Sequence, residues 1–297
     1  MSAGGRWMAA AALMLLPWAS PRAQDAEEVV KVDAAMVTVN VSVTDARGRH
    51  LPGLQAGDFL VLDEGAPVRL EFFDSDGPAS VVFVVDISAS MSGAKWRGLR
   101  GGLKRFLARA SEGNDYTLVA FNNTARLVAR SVSGDELWQS FNTLKPSGET
   151  ALYDALLLGL GALEQAPQRH KALVLLSDGQ DNSSRAALPS VEQAVLARRA
   201  TIYTVGIHSR PDHIPEFERG GHELLNRLAA ATGGSVQFPD PDELPKVLRK
   251  IDADVRSQYS LSYYPARVSP GWRRIQVNIT QGQRLLNLRY QQRYLIR

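Results

Sequence analysis

The sequence contains no cysteine, which excludes disulfides, a thiol nucleophile, cysteine-based zinc sites and lipid attachment through an N-terminal cysteine. It also lacks an excess of charge of one sign, because 34 Lys and Arg stand against 31 Asp and Glu, for a formal net charge of +3. So small a net charge gives no reason to expect a nucleic-acid partner. With 297 residues, 44% of them hydrophobic, the chain is long enough for about two globular domains.

Long apolar runs are absent except near the start of the chain. Residues 1–23 combine Arg6, an apolar run of 12 residues from Trp7 to Trp18, and small residues up to Ala23. Such a run suits a secretory signal peptide, whereas a transmembrane helix needs about 20 residues. We expect cleavage after Ala23, with cleavage after Ala19 and an uncleaved anchor as alternatives. The mature chain is then exported to the periplasm or the extracellular space and has no integral membrane span.

The common catalytic motifs are also missing. The sequence has no G-x-S-x-G elbow, no Walker loop and no H-E-x-x-H pair. Two of the five histidines, His208 and His213, fall in an expected loop as solvated residues. Because no base is expected near Ser88 or Ser90, nothing would activate their hydroxyls as nucleophiles. We therefore predict that the protein is not an enzyme.

Strand and helix patterns alternate through the central region, residues 77–256. Val81–Val85 is apolar at every position, which is typical of a strand buried on both faces of a parallel sheet. Helical periodicity separates most of the strands, and one helix is expected to open at a capping box of Ser190 and Gln193. This alternation predicts the α/β class, with a doubly wound, mostly parallel six-stranded sheet and helices on both faces. Further strands are expected at 116–121, 126–130, 172–176, 202–205 and 235–238.

The flanking segments, residues 24–76 and 257–297, contain strand patterns only. Val37 to Val43, for example, alternate apolar and polar residues, as expected for a strand buried on one face. Each segment is too small for a good hydrophobic core of its own. We therefore predict that the two segments pair into one small β-sandwich, with the α/β domain inserted between them.

Candidate metal ligands follow the strands of the central region. Asp86, Ser88 and Ser90 come directly after Val81–Val85, at the carboxyl edge of the sheet, where open α/β sheets hold ligands. Thr150 precedes a helix and Asp178 follows the next buried strand, so their loops are expected beside the first. Hard oxygen donors of this kind suit Mg²⁺. Taken singly, the same residues are also typical turn formers, and Thr150 is a typical helix N-cap.

Together the pattern Asp86-x-Ser88-x-Ser90, the distant Thr150 and the Asp178-Gly179 pair resembles the metal-ion-dependent adhesion site of the von Willebrand factor type A domain. The resemblance covers roughly residues 78–256. It implies a Rossmann-like fold and one divalent ion, Mg²⁺ or else Mn²⁺ or Ca²⁺, held by these five residues. A second ion is not expected, because residues 91–94 lack the acids that integrin β chains add there. The resemblance implies an adhesion-type module whose metal captures an Asp or Glu of a protein partner.

Two other interpretations stay open at this point. Type A domains also serve inside cells as partner subunits of ATPase or metal-insertion machines, although the leader opposes this. The flanking β segments and the leader together resemble bacterial secreted "VWFA-related" proteins. The segment after Asp254 has no acidic residue but eight arginines, interleaved with tyrosines and a tryptophan. These arginines either contact a polyanion or a membrane surface, or lie on a solvated sheet face and pair with acids of the N-terminal segment.

Overall fold

A computed structural model describes residues 36–75, 77–110, 113–198, 200–207, 219–267, 269–280 and 286–296. The expected signal peptide, together with His208 and His213, lies outside these residues. The described strands are β1 Val37–Asp45, β2 Phe59–Asp63, β3 Ala66–Val68, β4 Phe72–Asp74, β5 Ala79–Asp86, β6 Asp115–Phe121, β7 Ala125–Val132, β8 His170–Ser177, β9 Thr201–Gly206, β10 Val236–Gln237, β11 Tyr259–Tyr263, β12 Gly271–Ile279, β13 Leu286–Arg289 and β14 Arg293–Ile296.

Helices alternate with the central strands. They are α1 Ala94–Leu107, α2 Gly134–Asn142, α3 Leu152–Glu164, α4 Leu188–Ala197, α5 Arg219–Thr232 and α6 Leu244–Arg256. Within the described part of the chain, no helix is long and apolar enough to cross a lipid bilayer.

The central sheet has six strands in the order β10-β9-β8-β5-β6-β7, parallel except for β7, which runs antiparallel to β6. All eight residues of β5 are buried, because side chains alternate across a strand and both faces of this sheet are covered. Val81, Phe83 and Val85 pack against α1, α2 and α6. Val82 and Val84 pack against α3, α4 and α5 on the opposite face. The predicted doubly wound sheet with helices on both faces is confirmed.

The flanking segments form two antiparallel sheets, with strand orders β13-β1-β11-β4 and β14-β12-β2-β3. Each sheet combines strands from both ends of the chain, with Val39 opposite Leu261 in one and Val61 opposite Val277 in the other. The inward side chains of both sheets share one hydrophobic core. The predicted sandwich is therefore confirmed, whereas the domain boundaries at residues 76/77 and 256/257 stay a prediction.

Two details of the helices differ from the sequence prediction. The capping box expected at Ser190 is wrong, because α4 already begins at Leu188 with Ala187 as its N-cap. A proline at the next position supplies a preset backbone angle for the first turn. Sequence analysis missed α2, whose N-terminus carries the real capping box, with Ser133 and Glu136 satisfying each other's backbone N–H groups.

Candidate metal centre

The two acids of the predicted site lie side by side at the carboxyl edge of the central sheet. Asp86 is the last residue of β5, and Asp178 directly follows β8. Because β5 and β8 are hydrogen-bonded parallel neighbours, with Val85 opposite Leu176, their ends meet at the same edge. Asp86 is completely buried and Asp178 is 5% exposed. The sheet therefore brings two carboxylates together in a site with little access to water.

Hydrogen bonds link the two serines to both acids. The backbone N–H of Ser88 donates to Oδ1 of Asp86 at 2.8 Å. The hydroxyl oxygens of Ser88 and Ser90 lie 3.0 Å apart, and the Ser90 hydroxyl donates to Oδ2 of Asp178 at 2.8 Å. The structure thus places four of the five predicted residues in one connected group.

Backbone hydrogen bonds hold the loop of Thr150 at the same edge of the sheet. The N–H of Ala89 donates to the carbonyl of Gly148 at 2.9 Å, which ties the loop before Thr150 to the serine loop. Gly148 has a φ of 81°, a backbone conformation that favours glycine. The N–H of Thr150 donates to Oδ1 of Asn182 at 2.8 Å. Among the described contacts, the Thr150 hydroxyl makes no hydrogen bond to the other four predicted residues.

The interpretation of Thr150 as a helix N-cap is wrong. The N-cap of α3 is Ala151, and the first-turn N–H groups are satisfied from a different loop. Oδ1 of Asp181 accepts from the N–H of Tyr153 at 3.2 Å, and the Ser184 hydroxyl accepts from the same N–H at 3.0 Å. Asp181 therefore caps this helix. The loop that follows Asp178 is held against α3 by these contacts.

The electrostatics of the site favour a cation. Burial, and secondarily the charge of Asp178, raises the pKa of Asp86 from 3.8 to about 6. Oδ1 of Asp178 is buried and has no hydrogen-bond partner among the described residues. A buried carboxylate oxygen without a partner is costly unless a cation or water completes it. The residues therefore fit a hard divalent ion. In the part of the chain that the structure describes, no group of three or more His, Cys, Asp or Glu could hold a metal, so the hydroxyls are needed as donors.

Sequence analysis missed two residues of the site. The Ser177 hydroxyl donates to Oδ2 of Asp86 at 2.7 Å, and its place at the end of β8, beside the end of β5, is a signal that could have identified it. Lys95, in the first turn of α1, has its Nζ 3.6 Å from Oδ2 of Asp178, and its side chain is 7% exposed. Nothing in the local sequence marks Lys95, because only the packing of α1 directs its side chain inward.

The sequence also matches the family model of the von Willebrand factor type A domain over residues 80–250, more than half of the chain. The chain belongs to the von Willebrand factor type A family. This family comprises metal-dependent protein-interaction modules, which agrees with two carboxylates and several hydroxyls meeting at one edge of the sheet.

Two relatives each match more than half of the chain. The uncharacterized protein sll0103 of Synechocystis sp. is 24% identical over a 210-residue alignment that covers 64% of this chain and 47% of that protein. Inter-alpha-trypsin inhibitor heavy chain H3 of Bos taurus is 23% identical over a 218-residue alignment that covers 62% of this chain and 24% of that protein. The chain therefore spans about half or less of the length of these relatives.

Two solved structures share the fold. A von Willebrand factor type A protein from Catenulispora acidiphila superposes with a TM-score of 0.52 at 16% identity, covering 90% of this chain and 74% of that one. Proximal thread matrix protein 1 from the mussel byssus gives a TM-score of 0.51 at 19% identity, covering 65% and 51%. At these identities the likeness concerns the type A fold alone.

Proposed function

We propose that this type A protein is an exported module that binds a protein partner through one divalent ion, Mg²⁺ or else Mn²⁺ or Ca²⁺. The proposed ligands are the side chains of Asp86, Ser88, Ser90, Thr150 and Asp178, directly or through water. The partner contributes an Asp or Glu side chain. Binding, rather than catalysis, is the proposed activity.

The observation that carries this proposal is Oδ1 of Asp178, a buried carboxylate oxygen without a hydrogen-bond partner among the described residues. The other oxygen of Asp178 accepts the Ser90 proton. Because that proton points at the carboxylate, the Ser88 hydroxyl is the donor in its contact with Ser90, and the Ser90 oxygen keeps one further lone pair for a cation. A site built only for stability would satisfy each of these atoms internally.

The chain's own residues also set the charge of the site. Asp86 and Asp178 carry two negative charges when ionised, and Lys95 carries one positive charge. When bound, a divalent ion supplies the Lewis acidity that attracts a carboxylate. The lysine then leaves the loaded site with a net positive charge, which the partner's acid neutralises. For the same reason, a negatively charged carboxylate is favoured over a neutral oxygen ligand.

Binding of Mn²⁺ to the purified full-length protein, followed by titration calorimetry, tests the metal. We expect one ion per chain and loss of binding in Asp86→Ala and in Asp178→Ala, with unchanged circular dichroism. Glu223→Ala removes an exposed acid from α5 and serves as the matched control, with unchanged affinity expected. Binding that persists in both site variants would disprove the proposed ligand set.

The partner's acid is tested with an immobilised peptide library in which each Asp and Glu has an Asn or Gln counterpart. We expect Mg²⁺-dependent binding of acidic peptides only, abolished by a chelator and by Asp86→Ala. Equal capture of the amide counterparts would contradict the proposed role of a carboxylate.

Export is proposed from the pattern of residues 1–23 alone. The mass of the mature protein, expressed with its full N-terminus in a bacterium that has an envelope, gives the cleavage site. We expect a chain that begins after Ala23 or after Ala19, recovered from the envelope fraction. An uncleaved cytoplasmic product would contradict export without affecting the metal site.

A further inference from the structure

The outer face of strand β12 carries side chains that the fold does not use. Trp272, Arg274 and Gln276 alternate along the strand and are all exposed. Arg273, between them, faces inward, and its Nε donates to Oδ1 of the buried Asp63 at 3.0 Å. The inward arginine therefore has a structural partner, while the outward residues need a different explanation.

Two arginines oppose each other on this outer face. Arg274 of β12 is paired with Arg293 of β14 in the antiparallel register, so both guanidinium groups project from the same side of the sheet. Like charges directly opposite one another destabilise a sheet. Among the described residues, neither guanidinium forms an ion pair. Oε1 of the nearby Glu64 instead accepts a hydrogen bond from the backbone N–H of Arg274.

An aromatic ring borders the same arginines. Trp272 is 43% exposed, although a side chain of this size is usually more buried. The guanidinium of Arg293 lies 5.7 Å from the centre of its ring. A cavity of about 450 Å³ opens between these side chains, and Gln276, Arg273, Glu64 and Gly65 complete its wall. This volume falls in the range of small-molecule sites.

We propose that this cavity, which we call the β12 pocket, binds a sugar that carries a phosphate or sulfate ester. The two guanidinium groups present planar donors that match the oxygens of a tetrahedral anion. A bound anion between them would also remove the repulsion between the opposed arginines. Trp272 offers an apolar surface for the face of a sugar ring, and Gln276 offers a donor and an acceptor for its hydroxyl groups. This site lies on the sandwich and is independent of the proposed metal centre.

Titration calorimetry of the full-length protein in low salt, without divalent metal, tests the pocket. The probes are glucose 6-phosphate, glucose 6-sulfate, inorganic phosphate and glucose. We expect binding of one or both sugar esters, weaker binding of inorganic phosphate and none of glucose. The stronger ester identifies the anion. The affinity should fall as salt is added, because charged groups make the main contacts.

The double variant Arg274→Gln/Arg293→Gln should weaken ester binding about tenfold or more, since each arginine contributes charged hydrogen bonds. The matched control, Arg47→Gln/Arg126→Gln, removes the same charge from exposed arginines elsewhere and should bind as the parent does. Trp272→Ala should lower the affinity for the sugar ester toward that for inorganic phosphate.

The melting temperature separates this role from a structural one. Arg274→Gln should leave it unchanged or raise it slightly, because it relieves repulsion between like charges. The proposal is overturned by a clear fall in the melting temperature of Arg274→Gln, by equal losses of binding in the two double variants, or by no binding of either ester to the parent.

Discussion

Two buried acids, Asp63 in the sandwich and Asp178 at the edge of the central sheet, differ in how completely the protein satisfies their oxygens with hydrogen bonds. Asp63 is 2% exposed, and its oxygens accept from Nε of Arg273 at 3.0 and 3.2 Å and from the Tyr294 hydroxyl at 2.8 Å. Asp178 is 5% exposed, yet its only positively charged partner in the described structure, Lys95, stays 3.6 Å away, and one of its oxygens has no hydrogen-bond partner. The first acid is fully satisfied within the protein, and the second is not.

This difference separates buried acids that the fold satisfies fully from those that it leaves partly unsatisfied. Burial, and then the hydrogen bond to Asp63, raises the pKa of Tyr294 to about 12, so its hydroxyl remains a donor at any physiological pH. The acids at the sheet edge instead accept hydrogen bonds from serines, and the ammonium group of Lys95 stays 3.6 Å from Asp178. We infer that the sandwich is fixed by its buried charges, whereas the sheet edge depends on a ligand from outside.

Removal of Asp63 should have the largest effect on stability. Asp63→Ala leaves Arg273 nearly buried without a partner, and we expect a loss of about 3–5 kcal/mol in the free energy of unfolding. Urea denaturation measures it. Glu71→Ala, an exposed acid in the same half of the molecule, is the control and should change little. A loss below about 1 kcal/mol would remove the contrast between the two acids.

Asp86→Asn should stabilise the metal-free protein at neutral pH. The pKa of Asp86 is about 6 in the folded protein and 3.8 in the unfolded chain. Between these two pH values the native state therefore holds a proton that the unfolded chain has lost. Stability without metal therefore falls as pH rises from about 4 through 6, and the full cost of roughly 2–3 kcal/mol is present above pH 7. Asparagine avoids this cost.

Urea denaturation in EDTA at two pH values measures the effect. The advantage of Asp86→Asn over the parent should be present at pH 7.5 and absent near pH 4. An Asp86→Asn protein that is less stable than the parent at pH 7.5 would show that the ionised Asp86 is satisfied internally, as Asp63 is.

Lys95→Met should increase the affinity for Mn²⁺ by about tenfold, because it removes a buried positive charge beside the proposed ligand Asp178. Lys104→Met, an exposed lysine on the same helix, is the control and should leave the affinity unchanged. Equal affinities of the parent and Lys95→Met would exclude Lys95 from the site. No binding by the parent would instead reject the metal proposal itself.

The smallest effect distinguishes two serines with similar partners. Ser42 donates to Oδ1 of the buried Asp254 at 2.6 Å, and Ser90 donates to Asp178. We expect Ser42→Ala to cost about 1–2 kcal/mol in the free energy of unfolding and Ser90→Ala less than about 0.5 kcal/mol. Ser90→Ala should instead weaken Mn²⁺ binding. The reverse pattern in denaturation and calorimetry would mean that the sheet edge is structural.

Sequence reasoning located most of the fold because its signals are local. The fully apolar run of β5 and the helical repeats around it are set by which faces are buried, and these patterns repeat within a few residues. The candidate acids could be found for the same reason, since each directly follows an apolar run. The capping box at Ser190 failed because α4 begins at Leu188, with Pro189 in its first turn, so Ser190 already lies inside the helix. Serine and glutamine at this spacing occur in helix interiors as well.

The amino-acid sequence by itself determined where strands end, and therefore that Asp86 and Asp178 would meet at one edge of a parallel sheet. Only the tertiary structure decided which buried charges have partners. Ser90 and Asp178 are 88 residues apart in the chain, and Arg273 and Asp63 are 210 apart. A hydrogen bond depends on distances of a few tenths of an ångström, and such distances are set by the packing of whole sheets and helices rather than by neighbouring residues.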